Sequence, residues 1–249
     1  MIAFGHPPRP AQGLIGTWVK IPALETVELL GLAGFDFVVI DLEHAPLNLE
    51  TAYDLIVAAQ AAGMAALVRL SDRSGAQVQR LLDAGADGLL VPHVSSIAMA
   101  QRIAESMVFA PRGTRGLGAT SRAGGWGMVP LQAYLDRGDR ALRMVQLESW
   151  EVLQDAASYL AIDHVSGVFV GLGDLFLSSG RTPADEETRA MVRDVATAAQ
   201  AAGKACGIAA ANVEEAREYL AIGYSLVMVS NDATLFGKAA QAAVQSLRA

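Results

Sequence analysis

Eight short apolar runs, each followed by a stretch with helical spacing, fill this chain from end to end. They read LIGTWV (14–19), FVVID (37–41), AALVR (65–69), GLLVP (88–92), RMVQLE (143–148), GVFVG (167–171), ACGIA (205–209) and LVMVS (226–230). Between them, segments such as LETVELLGLAG (24–34) and SGAQVQRLLDAG (74–85) place apolar residues three and four apart, the period of a helix with one buried face. Strands apolar on both faces and separated by helices are parallel strands covered on both sides. Gly34, Gly63, Gly85, Gly203 and Gly223 fall where these helices should stop. Glycine is the residue most at ease in the left-handed cap that ends a helix. Eight such units in 249 residues predict a (β/α)8 barrel, with residues 1–249 forming one domain. A doubly wound open sheet is the alternative, but no glycine fingerprint follows the first strand. No linker rich in Pro, Gly or Ser splits the chain. The last helix, about 232–248, is expected to pack on its own barrel or on a neighbouring subunit.

Composition narrows what such a barrel can serve. Hydrophobic residues make up 52% and charged residues 18%, which suits a compact core and argues against disorder. A net charge of −7 offers no basic footprint, so neither nucleic acid nor an acidic membrane is an expected partner. The single cysteine, Cys206, leaves no internal disulfide framework and fits a reducing cytoplasm. The N-terminal MIAFGHPPRPAQG lacks the pattern of a signal peptide, and no apolar run reaches membrane-spanning length. The expected location is cytoplasmic.

Barrel enzymes place their chemistry at the C-terminal ends of the strands. Here those positions hold Asp41, Glu43 and His44 after the second strand, Arg69 ending the third, Glu148 ending the fifth, and Asp174 just past the sixth. Each alone has a bland reading as a solvated or ion-paired group. Side chains alternate faces along a strand, so Gln146 and Glu148 point the same way, and Arg69 continues the stripe of Ala65 and Leu67. Two acids, an amide, an arginine and a histidine at one barrel mouth suit a small anionic substrate. Two carboxylates without paired His or Cys favour a hard cation, Mg²⁺ or Mn²⁺, on Glu148 and Asp174. Gly171 and Gly173 would let backbone approach the ligand beside Asp174.

Other polar residues are less telling. His6 lies in a proline-rich terminus, His164 at the bottom of the barrel, and His93 is open between rim packing and substrate contact. Only Lys20, Lys204 and Lys238 are present, and of these only Lys20 stands where imine chemistry could use it. The long irregular stretch 110–130 carries Arg112, Arg115 and Arg122, candidates for binding an acceptor carboxylate.

With GTW (16–18), AGFDFVVIDLEHAP (33–46), VRLSD (68–72), LLDAGADGLLVPHV (81–94), PRGTRG (111–116), VQLES (145–149) and VGLGDL (170–175), the chain resembles the HpcH/HpaI family of metal-dependent class II pyruvate aldolases. The resemblance runs from about Gly13 to the last helix. It implies that Glu148 and Asp174 bind a divalent metal ion (Mg²⁺, Mn²⁺ or Co²⁺), with no organic cofactor. It implies that Gln146, Gly173, Asp174 and Arg69 contact substrate. His44 would be the general base, Arg69 the group stabilising an enolate, and Asp83 the carboxylate that raises the basicity of His44. The implied reaction is reversible cleavage of a 4-hydroxy-2-oxo acid, such as 4-hydroxy-2-oxoheptanedioate or a 2-keto-3-deoxy sugar acid, to pyruvate and an aldehyde. A citrate-lyase-like thioester lyase, an oxaloacetate decarboxylase and a non-catalytic keto-acid-binding barrel are the rivals. Many relatives have GPADLS where this chain has GLGDLF, and PMV where it has PHV, which bears on substrate preference. Asp83 ends the third helix, at the opposite end of its barrel from His44. Its partnership with His44 would therefore cross a subunit interface in a homo-oligomer, a trimer or hexamer.

Overall fold

Side-chain size decides how the eight strands close. The computed structural model describes residues 13–72 and 77–248; His6 and residues 74–76 of the expected third helix lie outside them. The strands are β1 (Leu14–Val19), β2 (Phe37–Asp41), β3 (Ala65–Arg69), β4 (Gly88–Val91), β5 (Leu142–Leu147), β6 (Gly167–Val170), β7 (Ala205–Ala210) and β8 (Leu226–Asn231). All pair in parallel and in sequence order, and β1 pairs back onto β8, with Leu14 opposite Leu226. This is the closed (β/α)8 barrel, not the open sheet. Inside it, Phe37, Val39, Ala65, Leu67, Met144, Phe169 and Met228 fill a narrow core. Gly16 faces Phe37 and Gly207 faces Phe169 so closely that a Cβ at either glycine would collide with the ring.

The helices are α1 (Leu24–Ala33), α2 (Leu49–Ala61), α3 (Val78–Asp83), α4 (Ile97–Glu105), α5 (Leu131–Arg140), α6 (Trp150–Gln154), α7 (Ala156–Leu160), α8 (Leu172–Ser179), α9 (Glu186–Ala201), α10 (Val213–Ala221) and α11 (Asp232–Arg248). The outward faces of the strands, with Val38, Ile40, Val68, Leu89, Val145 and Val168, pack on helix residues such as Leu55, Ile56, Leu81 and Val195 to form the larger core. Gly34 and Gly85 both take φ of 93°, the left-handed conformation that ends α1 and stands just past α3. Among the described residues no helix is long and apolar enough to cross a membrane.

Three details differ from the sequence expectation. The fifth strand ends at Leu147, so Glu148 is the first residue beyond it. The GLGDLF stretch opens a helix: α8 begins at Leu172 and carries Asp174 in its first turn. Its two glycines mask an apolar spacing of Leu172, Leu175 and Phe176 that is helical. The stretch 110–130 follows α4, which has already returned the chain to the bottom of the barrel, and contains a 3-10 turn at Arg122–Gly127.

The eighth barrel helix stands apart. Asp232, its first residue, is buried and accepts hydrogen bonds from the backbone N–H groups of Lys20 and Ile21 at 2.9 to 3.1 Å. From Leu235 to Arg248 every residue is exposed, Phe236 and Leu247 among them.

Candidate active site

The interior stripes of the barrel end in charge. Phe37 and Val39 lead to Asp41, Ala65 and Leu67 lead to Arg69, and Met144 leads to Gln146 and Glu148. Period-two alternation thus carries these polar groups from the barrel interior to its mouth. Asp41 is fully buried and meets Arg69 in a bidentate pair, Nε to Oδ1 at 2.9 Å and Nη2 to Oδ2 at 2.8 Å. Lys20 Nζ lies 2.5 Å from Oδ2 of the same carboxylate. Burial alone would raise the Asp41 carboxyl, but the hydrogen bonds and charges of Arg69 and Lys20 outweigh it and lower it to about 2. Oδ1 also accepts the backbone N–H groups of Glu43 and His44 at 3.2 Å, fixing the turn that presents His44. Beneath, the Arg69 guanidinium stacks 4.1 Å over the Trp18 ring.

A second acid joins the two sides of the mouth. Glu43 Oε2 lies 3.0 Å from Arg69 Nη1 and 3.7 Å from His44 Nε2. Glu43 Oε1 lies 2.6 Å from His93 Nε2, and the other imidazole nitrogen, Nδ1, lies 2.8 Å from Glu148 Oε2. His93 takes φ of 54°, left-handed for a residue with a Cβ, and that turn also brings its backbone N–H to Glu148 Oε1 at 3.3 Å. An alternating chain of basic and acidic side chains, Lys20–Asp41–Arg69–Glu43–His93–Glu148, therefore runs around the rim.

The donor set fits a hard cation. Gln146 Oε1 and Glu148 Oε2 are buried acceptors without a hydrogen-bond donor, although His93 Nδ1 lies 2.8 Å from Oε2. Burial raises the Glu148 carboxyl, the nearby charges of Asp174 and Glu43 add to that, and His93 opposes it. Orphaned oxygens and crowded carboxylates are what a bound cation relieves. Among the described residues no three His, Cys, Asp or Glu groups already form a ligand cluster, so two carboxylates would be completed by water and substrate oxygens. The adjoining cavity, of about 340 Å³, is lined by Trp18, Lys20, His44, Arg69, Gln146, Gly173 and Asp174. At Gly173 a Cβ would meet nothing, leaving open space beside Asp174.

The HpcH/HpaI aldolase/citrate lyase sequence profile matches residues 14–239. The chain belongs to the HpcH/HpaI aldolase/citrate lyase family. It is a carbon–carbon lyase by that membership. The 4-hydroxy-2-oxo-heptane-1,7-dioate aldolase of Salmonella dublin is 35% identical over 244 residues, covering 96% of this chain and 92% of that protein. A solved HpcH/HpaI aldolase/citrate lyase family protein from Burkholderia cenocepacia is 30% identical with a TM-score of 0.87, covering 96% of each chain. The fold is also that of an HpcH/HpaI aldolase from Desulfitobacterium hafniense, at a TM-score of 0.88 and 24% identity over 96% of this chain and 93% of that one.

Within this HpcH/HpaI barrel, His44, Arg69, Gln146, Glu148, Gly173 and Asp174 converge on one mouth. Asp83 does not. It lies at the end of α3, where Arg115 Nη2 (2.9 Å) and the Tyr134 hydroxyl (3.3 Å) donate to its Oδ1. The loop arginines do not reach their own mouth either, because α4 delivers the loop to the opposite end. Arg112 pairs with Asp139, Arg115 with Asp83, and Arg122 caps the Ala84 carbonyl at 3.0 Å. Sequence reading undervalued two residues. Lys20 was visible only as an imine candidate, although its place at the end of β1 put it beside Asp41; Trp18, two residues earlier on the same face, carries Arg69. His93, open in the sequence, is the bridge between Glu43 and Glu148.

Proposed function

We propose that this protein is a divalent-metal-dependent aldolase that reversibly cleaves a 4-hydroxy-2-oxo acid, such as 4-hydroxy-2-oxoheptanedioate or a 2-keto-3-deoxy sugar acid, to pyruvate and an aldehyde. The observation that carries the reading is the pair of donorless buried oxygens, on Gln146 and Glu148, beside Asp174 and across from Arg69. Glu148 and Asp174 would hold Mg²⁺, Mn²⁺ or Co²⁺, which supplies Lewis-acid polarisation of the keto acid when bound. Gln146 and the backbone at Gly173 would orient the carboxylate and keto group of the substrate. His44, half exposed over the cavity, takes the 4-hydroxyl proton onto its imidazole as the C3–C4 bond breaks. Arg69, fixed by Asp41, Glu43 and Trp18, offers a guanidinium already oriented for the enolate oxygen, so little reorganisation accompanies the charge shift. Lys20 Nζ is engaged with Asp41, so an imine would first have to break that pair.

The chain is read as a single barrel domain, cytoplasmic, that works as a homo-oligomer. Two features support the oligomer: α11 stands exposed beyond its first turn, and α1 leaves Leu29 and Leu32 exposed. A second copy covering these faces would bury them, and would also bring its own Asp83 towards this copy's His44.

The test follows the methyl protons of pyruvate by NMR in D₂O with Mg²⁺ and with a chelator. Metal-dependent exchange, abolished by the chelator, supports the pyruvate half-reaction. Exchange that survives chelation returns the chemistry to Lys20, and no exchange under either condition overturns the aldolase reading in favour of a thioester lyase.

A further inference from the structure

A cavity larger than the one at the mouth lies elsewhere among the described residues. It measures about 440 Å³ and opens at the N-terminal end of the strands, between the α3–β4 turn and the end of α5. Four arginines line it, Arg115, Arg122, Arg137 and Arg140, in a chain whose formal charge is −7. The carboxylates near them are already engaged. Asp87 Oδ2 accepts from Gln60 Nε2 and the Ala66 N–H, both at 2.9 Å, and Asp83 Oδ1 from Arg115 and Tyr134. Four guanidiniums against two carboxylates leave the cavity positive.

The arginines are placed rather than splayed. Arg122 is drawn in by the Ala84 carbonyl, alongside Gly85, where a side chain would block it. Arg137 Nη1 lies 3.4 Å from the Ala123 carbonyl oxygen. Arg115 is the most deeply held. It is 5% exposed, stacked 4.3 Å over Phe109, and its Nε is buried without a hydrogen-bond partner. Sealed from solvent, it adds fixed positive charge to the wall, while the exposed Arg137 and Arg140 are the guanidiniums that an oxyanion in the cavity can reach.

We propose that this cavity is a second binding site, for a small oxyanion of charge −2 or more, at the opposite end of the barrel from the reaction centre. The shared chemistry is that of a di- or tricarboxylate and of inorganic phosphate: clustered oxygens that accept paired guanidinium N–H groups. A volume of about 440 Å³ is in the range of small-ligand sites. The proposal does not depend on the aldolase reading, since nothing at the mouth takes part.

The test is calorimetry on the whole protein with a chelator present, using phosphate in one series and citrate in another, against the double variant Arg137→Ala/Arg140→Ala. Both side chains are exposed, so the variant keeps its core. Saturable binding of either anion with a dissociation constant of about 1 mM or tighter is expected. Binding should weaken at least about tenfold in the variant, the loss of charge-assisted hydrogen bonds. A phosphate-only or citrate-only response identifies the source of the oxyanion. Unchanged affinity in the variant would place the anion elsewhere and overturn the proposal. So would absence of binding, which includes the case of a neighbouring copy already filling the cavity.

Discussion

Asp41 shows how one buried carboxylate can organise a mouth. It orients Arg69, holds Lys20 and ties down the turn before His44, all at zero exposure. Its folded-state pKa of about 2 lies below the model value of 3.8, so its contribution to stability is present above about pH 4 and is lost as the pH falls towards 2. The shift corresponds to about 2 kcal/mol. In urea titrations across that window the wild type should lose this increment, and Asp41→Asn should lack it. At neutral pH Asp41→Asn should already be about 3 kcal/mol less stable, because Arg69 and Lys20 are left without their counter-charge. Equal acid sensitivity of the two proteins would contradict the assignment. His93 offers a second test at this scale. Its Nδ1 lies 2.8 Å from the Glu148 oxygen that a cation would need, so ring and metal compete for the space beside that oxygen. His93→Asn, which tolerates the left-handed backbone, should bind Mn²⁺ about tenfold more tightly by calorimetry. Unchanged affinity would remove His93 from that competition.

Strands and helices decide which of these groups can meet. The narrow barrel depends on glycine opposite aromatic rings, with Gly16 against Phe37 and Gly207 against Phe169. Gly16→Ala forces the Phe37 ring to move in a filled interior and should cost about 1–3 kcal/mol, read as a lower midpoint of thermal unfolding. A midpoint equal to wild type would mean that the barrel gives way more easily than its packing indicates. Element order was legible in the sequence because each strand is apolar on both faces and each helix has its own period. Arg69 and Gln146 were placed by alternation alone, since a one-residue error would have turned them outward. The start of α8 was hidden by Gly171 and Gly173, poor helix formers at its first turn. The place of the loop arginines was hidden for a different reason: a strand's end fixes the mouth, but only the path of α4 shows to which end of its own barrel a later loop returns. The Glu43–His93–Glu148 bridge was beyond reach, because it joins the ends of different strands through a left-handed turn at a residue other than glycine.

The whole molecule poses a problem that its parts do not solve. Its mouth gathers a histidine, an arginine and two carboxylates, while Asp83 is anchored by Arg115 and Tyr134 at the far end of the same barrel. Helix α11, meanwhile, is rooted by Asp232 and exposed over the rest of its length. The proposed closed assembly of identical chains would resolve both, if the copy that covers α11 also lets one chain's Asp83 serve another's His44. Subunit complementation tests this directly. His44→Ala and Asp83→Asn chains, each expected to be nearly inactive alone, are co-expressed so that mixed oligomers form. With random mixing of equal amounts, about a quarter of the sites would combine an intact His44 with an intact neighbouring Asp83, and activity should recover in that proportion. A site completed within one chain gives no such recovery, because every mouth would still lack one of the two groups.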